Sequence, residues 1–161
     1  MAEAAGKLTG RPGVCFVTRG PGATNASIGI HTAYQDSTPL VLFVDDVGSV
    51  FRDREAFQEV DYESFFAPFA KHVEQVTISE ALPGAVARAF HIARSGRPGP
   101  VVLALPEDVL SEPAFAAPEP ARPVQRRGLD ALQLEQIKSS LNQAERPLVI
   151  FGGGVITDAM S

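Results

Sequence analysis

Uninterrupted apolar runs alternate with helical patterns along the first two thirds of this chain. Three runs stand out, at residues 14–17, 40–44 and 101–105. Each is followed within three residues by a glycine, proline or aspartate, and each has the length of a strand buried on both faces. Helical spacing follows at residues 23–35 and 79–95. Because strands alternate with helices, the pattern predicts an α/β fold, a parallel sheet flanked by helices.

Capping residues set the predicted helix boundaries. Asp36-Ser-Thr-Pro39 ends the first helix, because proline disfavours a helical conformation in the residue before it. Ser79 is the expected N-cap of the second helix, and Gly96 follows its end. A further short strand is expected at residues 71–76.

The segment 49–70 is irregular and combines charge with aromatic residues. It contains five phenylalanines: Phe51, Phe57, Phe65, Phe66 and Phe69. So many rings in a polar segment indicate a loop that packs against something rather than a solvated linker. A ligand, a partner subunit and the core of the same domain all remain open.

Composition changes at residues 111–128, where prolines and charges replace large aliphatic residues. A proline-rich stretch of this kind is typical of a semi-extended linker at a domain boundary. We therefore expect one domain at residues 1–110. We expect the beginning of a second α/β domain at residues 129–161, with a helix and then a strand at residues 148–151.

Both ends of the chain read as interrupted elements. Residues 1–10 have the pattern of the last turns of a helix that ends at Gly10, with no start signal before them. At the other end, the glycines at residues 152–154 follow the predicted strand 148–151. We therefore expect both domains to be truncated.

Gly20-Pro21-Gly22 is the candidate binding loop. It lies between the apolar run 14–17 and the helical pattern, at the carboxyl end of a predicted parallel strand. Open α/β sheets bind ligands at that edge, and helix N-termini offer unpaired backbone N–H groups. A tight turn without any binding role is the alternative that these residues leave open.

Composition narrows the classes of function. The chain has 161 residues and a net charge of −5, with no basic stripe, which argues against a nucleic-acid partner. No run reaches the length of a membrane span, and no signal region precedes the first strand, so a cytoplasmic protein is expected. The lone Cys15 forms no internal disulfide and is expected to be a buried, inert thiol.

Several segments in order resemble the pyrimidine-binding domain of thiamine diphosphate enzymes, in particular the acetolactate synthase large subunit. The resemblance covers essentially the whole chain. It is carried by Thr18-Arg-Gly-Pro-Gly-Ala-Thr-Asn25, Ala33-Tyr-Gln-Asp-Ser-Thr-Pro39, Ala56-Phe-Gln-Glu-Val-Asp61, Ser95-Gly-Arg-Pro-Gly-Pro-Val101 and Pro106-Glu-Asp-Val109.

The resemblance implies a homo-oligomer, either a dimer or a tetramer. The cofactor site would lie between two of its subunits. Carried over by motif, the residues that would line the aminopyrimidine pocket are Thr18, Pro21, Gly22 and Asn25. Phe57 and Gln58 would approach the reacting centre, with the Gln58 amide donating to the carbonyl of a 2-oxo acid. The implied chemistry is decarboxylation and carboligation, with thiamine diphosphate held through Mg in a C-terminal domain and FAD possible in the parent protein.

Two departures from the family pattern concern the catalytic machinery. The family's catalytic glutamate would lie before Met1, and its Gly-Asp-Gly diphosphate motif belongs to a later domain. The expectation is therefore a fragment that is inactive alone. The alternative is a non-catalytic remnant that at most associates with a full-length subunit. A nucleotide-binding module built on the glycines 152–154 is a weaker alternative.

The third departure is Asp45-Asp46-Val47, where relatives carry Gly-Gln-Val. Two adjacent carboxylates at this sheet edge would repel each other and a phosphate-bearing cofactor. A pair that faces solvent is the alternative.

Overall fold

The computed structural model describes residues 1–124, 128–150 and 152–153. The chain divides into two compact units, Met1–Val124 and Gln125–Ser161. The first unit contains the sheet and every predicted site residue, and the second contains one helix among its described residues. No helix in the described ranges is long and apolar enough to cross a membrane.

The first unit is built on four parallel strands in the order β1-β2-β4-β3. The strands are β1 (Gly13–Val17), β2 (Leu40–Asp46), β3 (His72–Gln75) and β4 (Pro100–Pro106). Every residue of β4 is buried, as are all residues of β2 except Asp45. The continuous apolar runs of β2 and β4 therefore form the centre of the sheet, since only strands covered on both faces lack a polar alternation.

Helices cover both faces of this sheet. The helices are α1 (Ala2–Thr9), α2 (Gly20–Gln35), α3 (Tyr62–Phe66), α4 (Leu82–Arg94) and α5 (Glu107–Ser111). Ile30 of α2 and Phe66 of α3 pack with Leu42 on one face. Ala89 of α4 and Val109 of α5 pack with Val41 on the other. The predicted parallel sheet flanked by helices is confirmed.

The start of α2 differs from the prediction. The Gly-Pro-Gly segment is not a turn before the helix, because α2 begins at Gly20 and contains Pro21 in its first turn. Proline suits this position, since its fixed φ is helical and its missing N–H would have no partner inside the helix. The segment is therefore the N-terminus of the helix itself.

Ser79 was expected to cap α4, and this prediction is wrong. Ser79 lies in a one-turn 3-10 helix, Ser79–Ala81, and α4 begins at Leu82. The buried Ser79 hydroxyl donates to the Val109 carbonyl at 3.0 Å. The hydroxyl therefore satisfies a carbonyl of α5 rather than the N–H groups of α4.

Two cations close the ends of helices at the amino edge of the sheet, where the strands begin. The Lys71 ammonium donates to the carbonyls of Ile92, at 2.5 Å, and Ser95, at 2.6 Å, at the end of α4. The Arg97 guanidinium donates to the carbonyls of Tyr34 and Gln35 at the end of α2. Helix C-termini carry unpaired carbonyls and partial negative charge, so a cation there is stabilising.

The second unit contains α6 (Ala131–Gln143), which Asp130 and Gln133 begin with a reciprocal capping box. Residues 112–124, which belong to the first unit, contain no helix or strand. The strand predicted at residues 148–151 is wrong for residues 148–150, which have exposed side chains and no strand pairing within the described part of the chain. Phe151 and Gly154 lie outside the described residues. The domain boundaries at residues 110 and 128 stay predictions.

Candidate functional site

The residues predicted to bind the aminopyrimidine lie together where β1 passes into α2. Thr18 follows the last residue of β1 directly, and Pro21, Gly22 and Asn25 occupy the first turns of α2. Positions three, four and seven residues apart share one side of a helix. Thr18, Pro21 and Asn25 are exposed and Gly22 is half-buried. The four positions thus form one accessible surface at the carboxyl edge of the sheet.

The first turn of α2 has one open backbone donor. The Gly20 N–H donates to the Gln58 carbonyl at 3.1 Å, and the Ala23 N–H donates to the Arg19 carbonyl at 3.0 Å. Pro21 has no N–H. Gly22 is therefore the residue of this turn whose N–H has no acceptor among residues 1–124. An aminopyrimidine ring nitrogen is an acceptor of the kind that this N–H lacks.

Gln58 lies against this helix start, although it comes 38 positions after Gly20 in the sequence. A Cβ built on Gly20 would lie 2.9 Å from the Gln58 carbonyl oxygen and 3.2 Å from Cγ2 of Val60. Only glycine therefore allows the segment that carries Gln58 to approach the helix this closely. The structure brings Gln58 to the predicted binding surface. The neighbouring Phe57 ring is 83% exposed.

The two adjacent aspartates have separate surroundings. The Asp45 carboxylate accepts from Nε of Arg19 at 3.4 Å, and Arg19 also forms an ion pair with Glu107. Asp46 is 3% exposed and accepts from Nε2 of Gln75, at 2.6 Å, and from the Val47 N–H, at 2.8 Å. The solvent-facing alternative is wrong for Asp46. Burial raises the pKa of Asp46, against the lowering effect of these two hydrogen bonds.

A cavity of about 730 Å³ opens at the same edge, on the side of the sheet that α3 covers. Asp46, Gln75, Tyr62 and Ala104 line its wall, together with parts of the segment 52–61 that do not include Phe57 and Gln58. The Tyr62 hydroxyl donates to the Asp45 carbonyl at 3.3 Å, and burial raises the pKa of Tyr62. Sequence reasoning missed Gln75 and Tyr62 here. The available signal was a polar residue at an inward position of the short strand β3.

Residues 1–65 match the family described as thiamine pyrophosphate enzyme, N-terminal TPP binding domain. Over these residues the chain is similar to the thiamine pyrophosphate enzymes. That match covers β1, the start of α2 and the Phe57–Gln58 pair, which are the elements of the candidate site.

Acetolactate synthase large subunits are among the similar proteins. The one from Lactococcus lactis subsp. lactis is 38% identical over 96% of this chain, and that of isozyme 3 from Escherichia coli is 41% identical over 98%. The Corynebacterium glutamicum subunit is 42% identical over 93% of the chain. The chain spans 28%, 28% and 25% of the lengths of these three relatives.

The phenylalanine-rich segment divides into buried and exposed rings. Phe66 is fully buried, and Phe65 and Phe69 pack against the same core, so these three rings belong to the domain's own interior. Phe51 and Phe57 are exposed. Core packing therefore explains the rings at the end of the segment. For the exposed rings of Phe51 and Phe57, contact with a ligand or with a partner subunit stays open.

Cys15 lies half-buried in the edge strand β1, so it is less enclosed than the expected fully buried thiol. Among the described residues, no group of three or more His, Cys, Asp or Glu side chains has the arrangement of a metal site.

Proposed function

We propose that this chain supplies the aminopyrimidine-binding part of a thiamine diphosphate site, in an enzyme that decarboxylates and ligates 2-oxo acids as acetolactate synthase does. The observation that carries the proposal is the start of α2. There the open Gly22 N–H, the exposed Thr18 and Asn25 side chains and the Gln58 segment meet at one sheet edge. The family match over residues 1–65 supports the cofactor class.

The residues fit the aminopyrimidine chemically. The Gly22 N–H donates to a ring nitrogen, and the Thr18 hydroxyl and Asn25 amide each donate and accept hydrogen bonds. Pro21 stiffens the first turn of α2 and would present an apolar edge to the ring. Pro21, Gly22 and Asn25 belong to one helix, and Thr18 lies two residues before it, so the four groups keep their spacing without the ligand.

Gln58 and Phe57 serve the reacting end of the cofactor in this proposal. Thiamine diphosphate supplies the nucleophilic carbon and stabilises the electron pair that decarboxylation leaves. The Gln58 side-chain amide donates to the oxygen that becomes negative, and as a neutral group it does not exchange protons there. Phe57 gives an apolar surface that excludes water from the reacting carbonyl.

Activity requires protein beyond these 161 residues, in our proposal, since the chain spans 28% of the length of the Lactococcus relative. The diphosphate, Mg and any FAD would be bound by that additional protein. A homo-oligomer in which two subunits complete each site and a cytoplasmic location are parts of the same proposal. So is the division into a pyrimidine domain at residues 1–110, a linker and the start of a central domain.

A second candidate function is association with a longer subunit without catalysis. The edge strand β1 favours it, because Phe16 is 71% exposed while its ring stacks on Phe43 at 4.5 Å between centroids. An exposed aromatic residue on an unpaired strand edge is a surface that another chain can cover. This candidate predicts binding to a full-length subunit without any response to thiamine.

Chemical-shift titration of the ¹⁵N-labelled chain tests the proposal. The probes are thiamine, its aminopyrimidine half (4-amino-5-hydroxymethyl-2-methylpyrimidine) and its thiazole half. We expect thiamine and the aminopyrimidine to shift the amides of Gly22 and Asn25, with a weaker effect from the thiazole. Asn25→Ala should weaken the aminopyrimidine response, whereas Thr32→Ala, at an exposed position further along α2, should not. Absence of shifts at α2 with every probe would refute the proposed site.

A further inference from the structure

The 53–59 loop carries Phe57 and Gln58. Three of its residues have a left-handed backbone conformation that is unfavourable for any residue with a side chain. Asp53 has φ of 60°, Glu55 of 54° and Gln58 of 68°. Non-glycine residues adopt this left-handed region rarely, and three occur here within six positions. Backbone of this kind persists only when neighbouring groups hold it in place. The loop therefore requires specific contacts to keep its shape.

The Glu59 carboxylate provides those contacts from inside the loop. One of its oxygens accepts from the Asp53 N–H at 2.6 Å, and the other accepts from the Ala56 N–H at 2.9 Å. The Glu59 N–H also donates to the Ala56 carbonyl at 3.0 Å. The hydrogen bonds from the Ala56 and Asp53 backbone hold the pKa of Glu59 below its usual range. The ionised carboxylate thus closes the loop on itself.

A separate contact ties the closed loop to α2. The Gln58 carbonyl accepts from the Gly20 N–H, and Gly20 has no side chain to keep the loop away. Asp61 then begins α3 by accepting from the Ser64 N–H at 3.0 Å. Phe57 comes directly before the first of these anchors and Glu59 directly after it, so the direction of the Phe57 and Gln58 side chains depends on the loop conformation that Glu59 maintains.

We propose that Glu59 is the positioning residue of the site: its carboxylate holds the 53–59 loop in the conformation that places Gln58 against the start of α2 and presents Phe57 outward. The geometry of the loop stands on the contacts above, and its consequence for cofactor binding rests on the proposed function. Glu59 itself acts through the loop backbone and needs no contact with cofactor or substrate.

Amide hydrogen exchange in the full 161-residue chain tests the proposal. Glu59→Ala removes both acceptors, so the amides of Asp53, Ala56 and Gly20 should exchange about tenfold faster or more. Glu63→Ala removes a carboxylate four residues away that accepts no hydrogen bond within residues 1–124, and it should leave all three amides unchanged. Unchanged exchange of the three amides in Glu59→Ala would overturn the proposal.

Two further measurements keep the result specific. Glu59→Gln keeps the side-chain size and one acceptor oxygen, so it should release the Asp53 or the Ala56 amide. This variant decides the outcome if Glu59→Ala loses protection in β2 as well. Unchanged exchange of both amides in Glu59→Gln would count against the proposal.

Since the chain has no tryptophan, Phe57→Trp provides a single fluorescent probe. Its anisotropy should fall when Glu59→Ala is added and stay constant with Glu63→Ala.

The thiamine titration separates failure of this inference from failure of the proposed function. If the wild-type chain ignores thiamine while Glu59→Ala releases the loop, the loop contacts stand and the proposed function fails. If the chain binds thiamine and Glu59→Ala releases the loop without weakening that binding, the positioning role fails and the proposed function stands. Loop release together with weaker thiamine binding, while the aminopyrimidine half binds as before, supports both.

Discussion

At the amino edge of the sheet, Lys71 and Arg97 donate to carbonyls that end α4 and α2. At the carboxyl edge, the structure holds a buried carboxyl at Asp46, a loop with three left-handed residues and an exposed ring at Phe57. The first edge satisfies groups that every helix leaves unpaired. The second edge keeps groups in conformations and surroundings that disfavour folding.

The difference separates stability from function. Contacts at the amino edge need no ligand to explain them, because each cation meets the negative end of a helix dipole. The buried carboxyl and the left-handed backbone at the carboxyl edge lower stability, and they satisfy no helix end in exchange. Parallel sheets bind ligands at the carboxyl edge, and the unfavourable features lie at that edge here.

The largest effect is expected from Gly20→Ala, which breaks the carboxyl edge. The new Cβ would lie 2.9 Å from the backbone oxygen of Gln58, and the loop must move to admit it. We expect a loss of about 2 kcal/mol in the free energy of unfolding, the usual range for overpacking a tight contact. Urea denaturation followed by circular dichroism measures this loss.

Gly99→Ala is the matched control at the amino edge. Its Cβ would also meet an atom at 2.9 Å, but that atom is Cδ of the flexible Lys71 side chain. Only this side-chain stem and no backbone atom has to move, so the loss should be smaller than for Gly20→Ala, about 1 kcal/mol or less. Equal losses for the two alanine variants would show that the contact of Gly20 with Gln58 is not a tight one.

Asp46→Asn should stabilise the chain at neutral pH by about 1 kcal/mol. Asparagine has nearly the same shape as aspartate, and the substitution removes a buried negative charge. Burial raises the pKa of Asp46, so the folded chain binds this proton more tightly than the unfolded chain. Its contribution therefore favours folding at low pH and is lost as the pH rises through the raised pKa. Unfolding curves at a series of pH values should show this loss in the wild type and not in Asp46→Asn.

Asp45→Asn provides the adjacent comparison. Asp45 lies beside Arg19 rather than in the apolar interior, and Arg19 keeps its ion pair with Glu107 when Asp45 is neutral. We expect a slight loss of stability or none, since partly exposed ion pairs contribute little. A stabilisation equal to that of Asp46→Asn would mean that mutual repulsion of the two carboxylates, and not burial, is the dominant effect.

Lys71→Met tests the amino edge and should cost about 0.5–1 kcal/mol. Methionine keeps the apolar stem of the side chain and removes the donor to the Ile92 and Ser95 carbonyls. The last turn of α4 should then exchange its amides faster, while the 53–59 loop stays protected. Faster exchange in both regions would deny that the two edges are independent.

The sequence was sufficient for the fold because its central strands are continuous apolar runs that only a doubly covered sheet accommodates. It also located the candidate residues, through the ordered motifs around Gly22 and Gln58. It did not reveal that α2 begins at Gly20, since a Gly-Pro-Gly segment suits both a turn and a first helical turn. Nor did it separate Asp45 from Asp46, because their different partners, Arg19 and Gln75, come from distant segments.

Phe57→Ala should have the smallest effect on stability and a selective effect on binding. The ring is 83% exposed, so the free energy of unfolding should change by less than about 0.5 kcal/mol. If Phe57 faces the reacting end of the cofactor, the variant should bind thiamine about threefold more weakly, the size of an exposed contact between a ring and a cation such as thiazolium. Affinity for the aminopyrimidine half should stay constant, because α2 holds that half.

Phe51→Ala, at another exposed ring, should change neither affinity. Equal weakening of thiamine and aminopyrimidine by Phe57→Ala would place the ring at the helix start instead, and the carboxyl edge would then have one binding surface rather than two.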